Sequence, residues 1–327
     1  MTPSHPLLDP LLEGDAFLPE TERRLEASLD LDSMTTLERL QLFVTQDRVA
    51  VDAVSAILPQ LASLVDEASE RLHRGGHVHY FGAGTSGRLA VLDAAELLPT
   101  FNIEPGLVVA HIAGGDRAVQ HAVENAEDSV VSGRADAAQV GQNDVVIGLT
   151  ASGNTPYVGG ALAASREVGA FTALVSCNSR ASLADLADSN IVLRTGAEVV
   201  TGSTRLKAGT AEKLVLNGFS TALMVAIGRT WSNLMVSVVA TNEKLRDRTL
   251  RILMQATNRP EGECRALLEE SGGDLKVAIV ASVARVPMDV AQVSLGRAGA
   301  SVRKAVDLLT ESQLVGTTTV DIKGDSE

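Results

Sequence analysis

The chain has 327 residues, 45% hydrophobic but only 3% aromatic, with a formal net charge of −13. That length holds one large domain and a small one, and the acidic balance excludes nucleic acid and anionic membrane as main partners. No apolar run reaches the ~18 residues of a membrane span, no signal peptide is visible, and Cys177 and Cys264 suit a reducing compartment, so a cytoplasmic protein is expected.

Residues 1–33 carry Pro3, Pro6, Pro10 and Pro19 without periodicity and read as an extended arm. Thr35 with Glu38 three residues on is a capping box, and helical spacing follows through Leu37, Leu40 and Phe43. It resumes from Val54 to Leu72 and stops at Gly75-Gly76. Residues 78–81 form a buried strand. Gly82-Ala-Gly-Thr-Ser-Gly87 breaks it, and from Arg88 the three-residue recurrence of Leu89, Leu92 and Ala95 predicts a helix. Further strands are predicted at 107–113, 144–150, 171–177 and 191–194, with helices at 116–131, from Pro156, and at 182–188. The alternation gives an α/β fold with a doubly wound, mainly parallel sheet, in which ligands sit beyond the carboxyl ends of the strands.

A strand, a glycine-rich turn and a helix N-terminus make an anion site, because free amides and the positive end of the helix dipole point to one place. Gly84, Thr85, Ser86, Gly87 and Arg88 belong to the first such turn. A P-loop is excluded, because Arg88-Leu89 stands where Lys followed by Ser or Thr is required. A dinucleotide and a sugar phosphate stay open at this point. A second turn, Ser152, Gly153, Asn154 and Thr155, follows the strand at 144–150 and also enters a helix. A third, 198–217, carries Ser203, Thr204, Arg205 and Lys207 into a long helix ended by Gly228. Residues 233–257 continue helically, short helices follow at 261–270 and 274–284 with one or two more over 286–309, and the polar stretch 317–327 is expected to be disordered. The six histidines show no metal constellation.

Residues 82–101, 112–128, 151–158, 198–217 and 234–245 together resemble the N-acetylmuramic acid 6-phosphate etherases, and the likeness runs from about Thr21 to about Ala305. It implies a sugar isomerase-type phosphosugar-binding domain over 61–245 and an N-terminal arm and helices over 1–60. A small helical module similar to ubiquitin-associated domains covers 246–310, and 311–327 is a tail. It also implies a homodimer, no metal and no organic cofactor, and cleavage of the lactyl ether to N-acetylglucosamine 6-phosphate and D-lactate. The family's two acids fall on Glu96 in DAAE and Glu127 in ENAED. Removing the C2 proton of the open-chain aldehyde and protonating the leaving oxygen needs two acid–base groups in different settings. Glu96, on a largely apolar helix, is expected to be the acid and Glu127 the base. Two departures from the family pattern stand out: Leu97-Leu98 where Cys-Pro is usual, and Asn154 where Arg is usual. A non-catalytic phosphosugar-binding regulator and an aldose–ketose isomerase are the alternatives. A phosphosugar-sensing repressor would need a basic helix-turn-helix, which the sequence does not show.

Overall fold

The computed structural model describes residues 18–237 and 243–318. Two compact units are formed: one from the residues up to Ala95 together with Pro105–Leu223, the other from Glu96–Glu104 together with Met224 onward. The first unit starts with two short 3₁₀ turns, Glu20–Glu22 and Glu26–Ser28, rather than an extended arm. Residues 1–17 lie outside the described residues.

Helix α1 (Thr36–Ser55) opens with the expected capping box: Glu38 N donates to Thr35 Oγ1 at 3.3 Å, and Thr35 N donates to Glu38 Oε2 at 2.7 Å. Helix α2 (Leu58–His73) follows, with Pro59 in its first turn and Leu61, Leu64, Val65 and Ala68 buried at helical spacing. A sheet of five parallel strands comes next: β1 (Val78–Gly82), β2 (Val108–Ile112), β3 (Val145–Thr150), β4 (Phe171–Ser176) and β5 (Ser189–Val192). Their order in space is β2-β1-β3-β4-β5. Val78 pairs with Val108 on one side and Val145 on the other, so β1 and β3 are neighbours and strand order reverses between them. In open parallel sheets that switch point is where ligands bind. β1 and β3 are buried along their whole length, as strands covered on both faces must be.

Side chains alternate between the two layers. Phe81, Val146 and Leu174 pack with Tyr157, Val158, Ala161 and Leu162 of α6 (Pro156–Glu167). Tyr80 points the other way, its ring centroid 6.3 Å from that of Phe219 on α7 (Lys207–Ala226). Each such fully buried side chain is worth about 1.5–3 kcal/mol of transfer free energy, so these few aromatics anchor a core otherwise built of Ala, Val and Leu. Helix α3 (Gly84–Phe101) follows β1, and the short α4 (Arg117–Gln120) and α5 (Val130–Asp136) follow β2.

The helix expected over 116–131 does not form as one piece. It stops at Gln120, His121 is extended, Asn125 is left-handed at φ 58°, and Ser129 caps a new helix by accepting from Ser132 N. The helix expected at 182–188 shrinks to the 3₁₀ turn Ala184–Leu186, and that expected at 233–257 is interrupted. Thr230–Trp231 and Leu234–Met235 instead form a two-stranded hairpin, β6 and β7, whose turn is closed by Ser232 at φ 52°.

The second unit contains this hairpin and helices α8 (Glu243–Thr257), α9 (Glu261–Glu270), α10 (Leu275–Ala284), α11 (Met288–Arg297) and α12 (Val302–Thr318). Its core joins Leu253, Cys264, Ile279, Val280, Ala291 and Val302. The Arg303 guanidinium lies 4.2 Å from the Trp231 ring centroid. Of the stretch 317–327, Thr318 ends α12 and residues 319–327 lie outside the described residues.

Candidate active site

The first turn is the N-terminus of α3 itself, since the helix begins at Gly84 rather than Arg88. Two glycines let it start so close to the strand. A Cβ on Gly87 would stand 2.6 Å from Ile112 Cγ1 and 2.8 Å from the Gly82 carbonyl oxygen, distances no side chain tolerates. Thr85 is half-buried and lies toward the third turn: a Cβ on Gly209 would be 3.3 Å from Thr85 Cγ2 and 3.4 Å from the Thr204 carbonyl oxygen. Ser86 is buried and donates to Glu212 Oε1 on α7 at 3.0 Å.

Arg88 holds the broken segment after β2. Its Nε donates to Val119 O at 3.1 Å and an NH2 group to His121 O at 3.2 Å. The result is a cavity of about 190 Å³ lined by Gly84, Arg88, Ala113, Val123, Glu124 and Glu127, among others. Of the three neighbouring acids Glu124, Glu127 and Asp128, the first two line it and Asp128 does not. Glu127 is exposed through its side chain, but its carbonyl accepts from Tyr157 N at 2.9 Å, in the first turn of α6. α5 and α6 touch through glycines, and a Cβ on Gly160 would fall 2.2 Å from Val130 O. The segment bearing Glu127 is therefore tied by backbone to the helix that the second turn begins. A larger hollow of about 640 Å³, lined by Arg24, Asp32, Arg39 and Phe43 among others, contains none of the three turns.

The second turn follows β3 and closes on its own hydroxyls. Thr150 Oγ1 is 2.7 Å from Thr155 Oγ1 and 3.3 Å from Ser152 Oγ, and accepts from Gly153 N at 3.2 Å. Gly153 has φ +73°, a conformation that favours glycine. Asn154, where the resemblance expected Arg, accepts from Ser182 N through its side-chain oxygen at 2.9 Å. It thus pins the loop after β4 instead of presenting a charge. The first and second turns follow β1 and β3, the two strands of the switch point.

The third turn is differently built. Glu198, fully buried, accepts from Lys207 N at 3.2 Å and Ala208 N at 2.9 Å, so a carboxylate of the chain occupies the N-terminus of α7. Ser203 and Thr204 are half-buried in the loop before it. Lys207 is buried and its ammonium donates to Gln46 Oε1 at 2.7 Å. Burial pulls the Lys207 pKa down against the nearby Glu198 and Asp47 charges, and burial pushes that of Glu198 up.

The apolar setting expected for Glu96 belongs to Asp93. Glu96 is exposed and is not among the cavity's lining residues. Asp93, three residues earlier, faces inward and accepts from Tyr80 OH at 3.1 Å and Ser220 Oγ at 3.0 Å. Its burial pushes the pKa up to about 6, against those hydrogen bonds and the Lys213 charge. Sequence reasoning missed Asp93, Glu198 and Glu212. Their only signal is an acid placed on the apolar stripe of a helix or just before one, as Glu212 is between Ala211 and Val215.

The profile "Glucokinase regulatory protein N-terminal SIS domain" matches residues 60–166. The N-acetylmuramic acid 6-phosphate etherase of Thermobifida fusca (strain YX) is 54% identical over 260 residues, 80% of this chain and 86% of its own. That of Halalkalibacterium halodurans is 46% identical over 288 residues, 88% of this chain and 97% of its own. Among solved structures, a phosphoheptose isomerase from Francisella tularensis is 20% identical with a TM-score of 0.48, over 59% of this chain and 100% of its own.

Proposed function

Since the chain belongs to the N-acetylmuramic acid 6-phosphate etherases, we propose that its reaction is carried out where the first two turns and Glu127 meet. It is an etherase: it splits the D-lactyl ether of N-acetylmuramic acid 6-phosphate to N-acetylglucosamine 6-phosphate and D-lactate. The observation that carries the placement is the cavity in which Glu127 stands with Gly84 and Arg88, beside the strand-order reversal.

The phosphate is held by Thr85, Ser86 and Gly87 at the head of α3 and by Ser152, Gly153, Asn154 and Thr155 at the head of α6, with Ser203, Thr204 and Lys207 contributing from the third turn. Glu127 takes the C2 proton of the open-chain aldehyde. The electron pair forms the C2–C3 double bond and expels the lactyl oxygen from C3, and Glu96 protonates that oxygen as it leaves. Water then adds to C3 and C2 regains a proton, so the net change is one water consumed and one lactate released. The resemblance supports Glu96 in this role; the choice between acid and base rests on Glu127 lining the cavity.

We assign a homodimer. Leu37, Leu40, Val44 and Val51 of α1 are 64%, 57%, 61% and 52% exposed. Their spacing of three, four and seven residues sets them on one helix face, an apolar stripe suited to a second copy. No described helix is long and apolar enough by itself to cross a membrane. We place the reaction in the cytoplasm, as salvage of a phosphorylated sugar of the cell wall.

The decisive experiment follows lactate release from N-acetylmuramic acid 6-phosphate and wash-in of solvent deuterium at C2. Glu96→Gln should lose lactate release by about 10²–10⁴-fold and still exchange C2; Glu127→Gln should lose both. Full lactate release by both variants would overturn the pair. The match to a regulatory protein's domain favours one second reading, a phosphosugar-binding regulator without catalysis; wild-type protein that binds the substrate and releases no lactate would establish it.

A further inference from the structure

Glu212 stands on α7 at 1% exposure, and the hydrogen bond its carboxyl group accepts comes from a residue of the first turn, Ser86 Oγ at 3.0 Å. None of the salt bridges among the described residues reaches it. The Cys177 thiol, in the loop after β4, has its pKa pushed up by burial first and by Glu212 next, with smaller contributions from Glu198 and Glu20. On the same helix the Lys207 ammonium donates to Gln46 beside Glu198, and the Lys213 charge acts on Asp93. Burial raises the Glu212 carboxyl to about 7, with the Ser86 hydrogen bond working in the opposite direction.

A serine hydroxyl has one hydrogen to give. While Glu212 is ionised, Ser86 spends that hydrogen on it and shows the turn only lone pairs, with a buried negative charge behind them. Once Glu212 carries a proton, it becomes the donor to Ser86 Oγ, and the Ser86 hydrogen is released toward whatever lies at the head of α3. We propose that Glu212 is a positioning residue that couples anion binding at the first turn to uptake of a proton, by setting which way the Ser86 hydroxyl points. The inference rests on the reading that this turn holds the phosphate of the substrate. Its consequence is that the turn binds a dianion well when Glu212 is protonated and poorly when it is ionised. The difference is one hydrogen bond to a charged group, about tenfold or more in affinity.

Sulfate is the probe, because its charge does not change between about pH 6 and about pH 8.5 whereas that of a phosphate ester does. Binding is measured by titration calorimetry on the full-length protein in two buffers of different ionisation enthalpy, so that protons taken up per sulfate are counted. Wild-type protein should lose about tenfold or more in affinity across that pH range and take up protons on binding near neutral pH. Glu212→Gln has an amide hydrogen that stays on Ser86 Oγ; it should keep the low-pH affinity throughout, with that proton uptake abolished. Ser86→Ala should bind weakly at both ends of the range, also without the uptake. With substrate, the wild-type KM should rise with pH more steeply than that of Glu212→Gln, with kcat the lesser change. Sulfate binding with the same pH dependence and proton count in wild type and Glu212→Gln overturns the coupling while leaving the phosphate site standing. No sulfate binding by any of the three proteins removes the first turn as an anion site, and the coupling with it.

Discussion

Replacing Asp93 with Asn should make the first unit more stable at neutral pH, although it removes a charge that accepts two hydrogen bonds. The carboxyl group is buried between Tyr80 of β1 and Ser220 of α7, and its pKa is raised from 3.8 to about 6. A carboxyl group raised on folding keeps its full contribution to stability below about pH 3.8 and loses it as pH rises through about 6. The gap converts to about 3 kcal/mol at 1.36 kcal/mol for each pH unit. Asparagine has nearly the same shape. Its oxygen keeps the Tyr80 hydroxyl, and its amide donates to Ser220 Oγ, which turns from donor to acceptor. Some of the gain is offset because the replaced hydrogen bonds were charge-assisted, so a net increase of about 1–3 kcal/mol is expected near pH 8 and almost none near pH 4. Urea unfolding of both proteins at matched ionic strength over that range measures the difference directly. A difference that stays constant with pH, or an Asn variant less stable than wild type at pH 8, would refute the account of Asp93 as a carboxyl group ionised at a cost.

Three further outcomes follow from the geometry. Gly160→Ala places a Cβ 2.2 Å from Val130 O, so α5 and α6 must separate; a loss of about 1–3 kcal/mol in unfolding free energy is expected, with lower kcat from displacement of Glu127. Ser152→Ala removes a hydroxyl of the second turn and should raise the KM for substrate more than it lowers kcat, with weaker inhibition by inorganic phosphate; unchanged KM and inhibition would take the second turn out of the site. Leu40→Glu together with Val44→Glu puts two charges on the exposed stripe of α1 and should shift the protein to monomers in sedimentation, whereas an unchanged mass would place the dimer contact elsewhere.

The parallel sheet was legible chiefly through β3, which is apolar on both faces: DVVIGLT reads as a central strand, and Val145–Thr150 is buried at every position. The turns were legible through glycine and hydroxyl residues flanked by a strand and a helix. What sequence reasoning missed depends on partners far along the chain. Val119, Ala122, Val123 and Ala126 have helical spacing, yet Arg88 takes the Val119 and His121 carbonyls and Tyr157 takes that of Glu127, leaving the segment better satisfied as a loop. Asp93 and Glu212 look like solvated helix acids until Ser220 and Ser86, each more than a hundred residues away, supply their hydrogen bonds. The hairpin after Gly228 hides behind Ser232, whose positive φ nothing local announces.

The hydrogen bond from Tyr157 N to Glu127 O turns one backbone amide into a clock. That N–H, in the first turn of α6, has no intrahelical acceptor, and its side chain is fully buried, so it meets solvent only when the loop carrying Glu127 lifts away. Its exchange rate is therefore set by the free energy of that local opening. A ligand that stabilises the closed loop slows exchange at this amide by the factor it adds to the opening equilibrium, and one bound elsewhere leaves it alone. The acid's side chain is exposed, while the frequency with which its backbone departs is recorded thirty residues further along the chain.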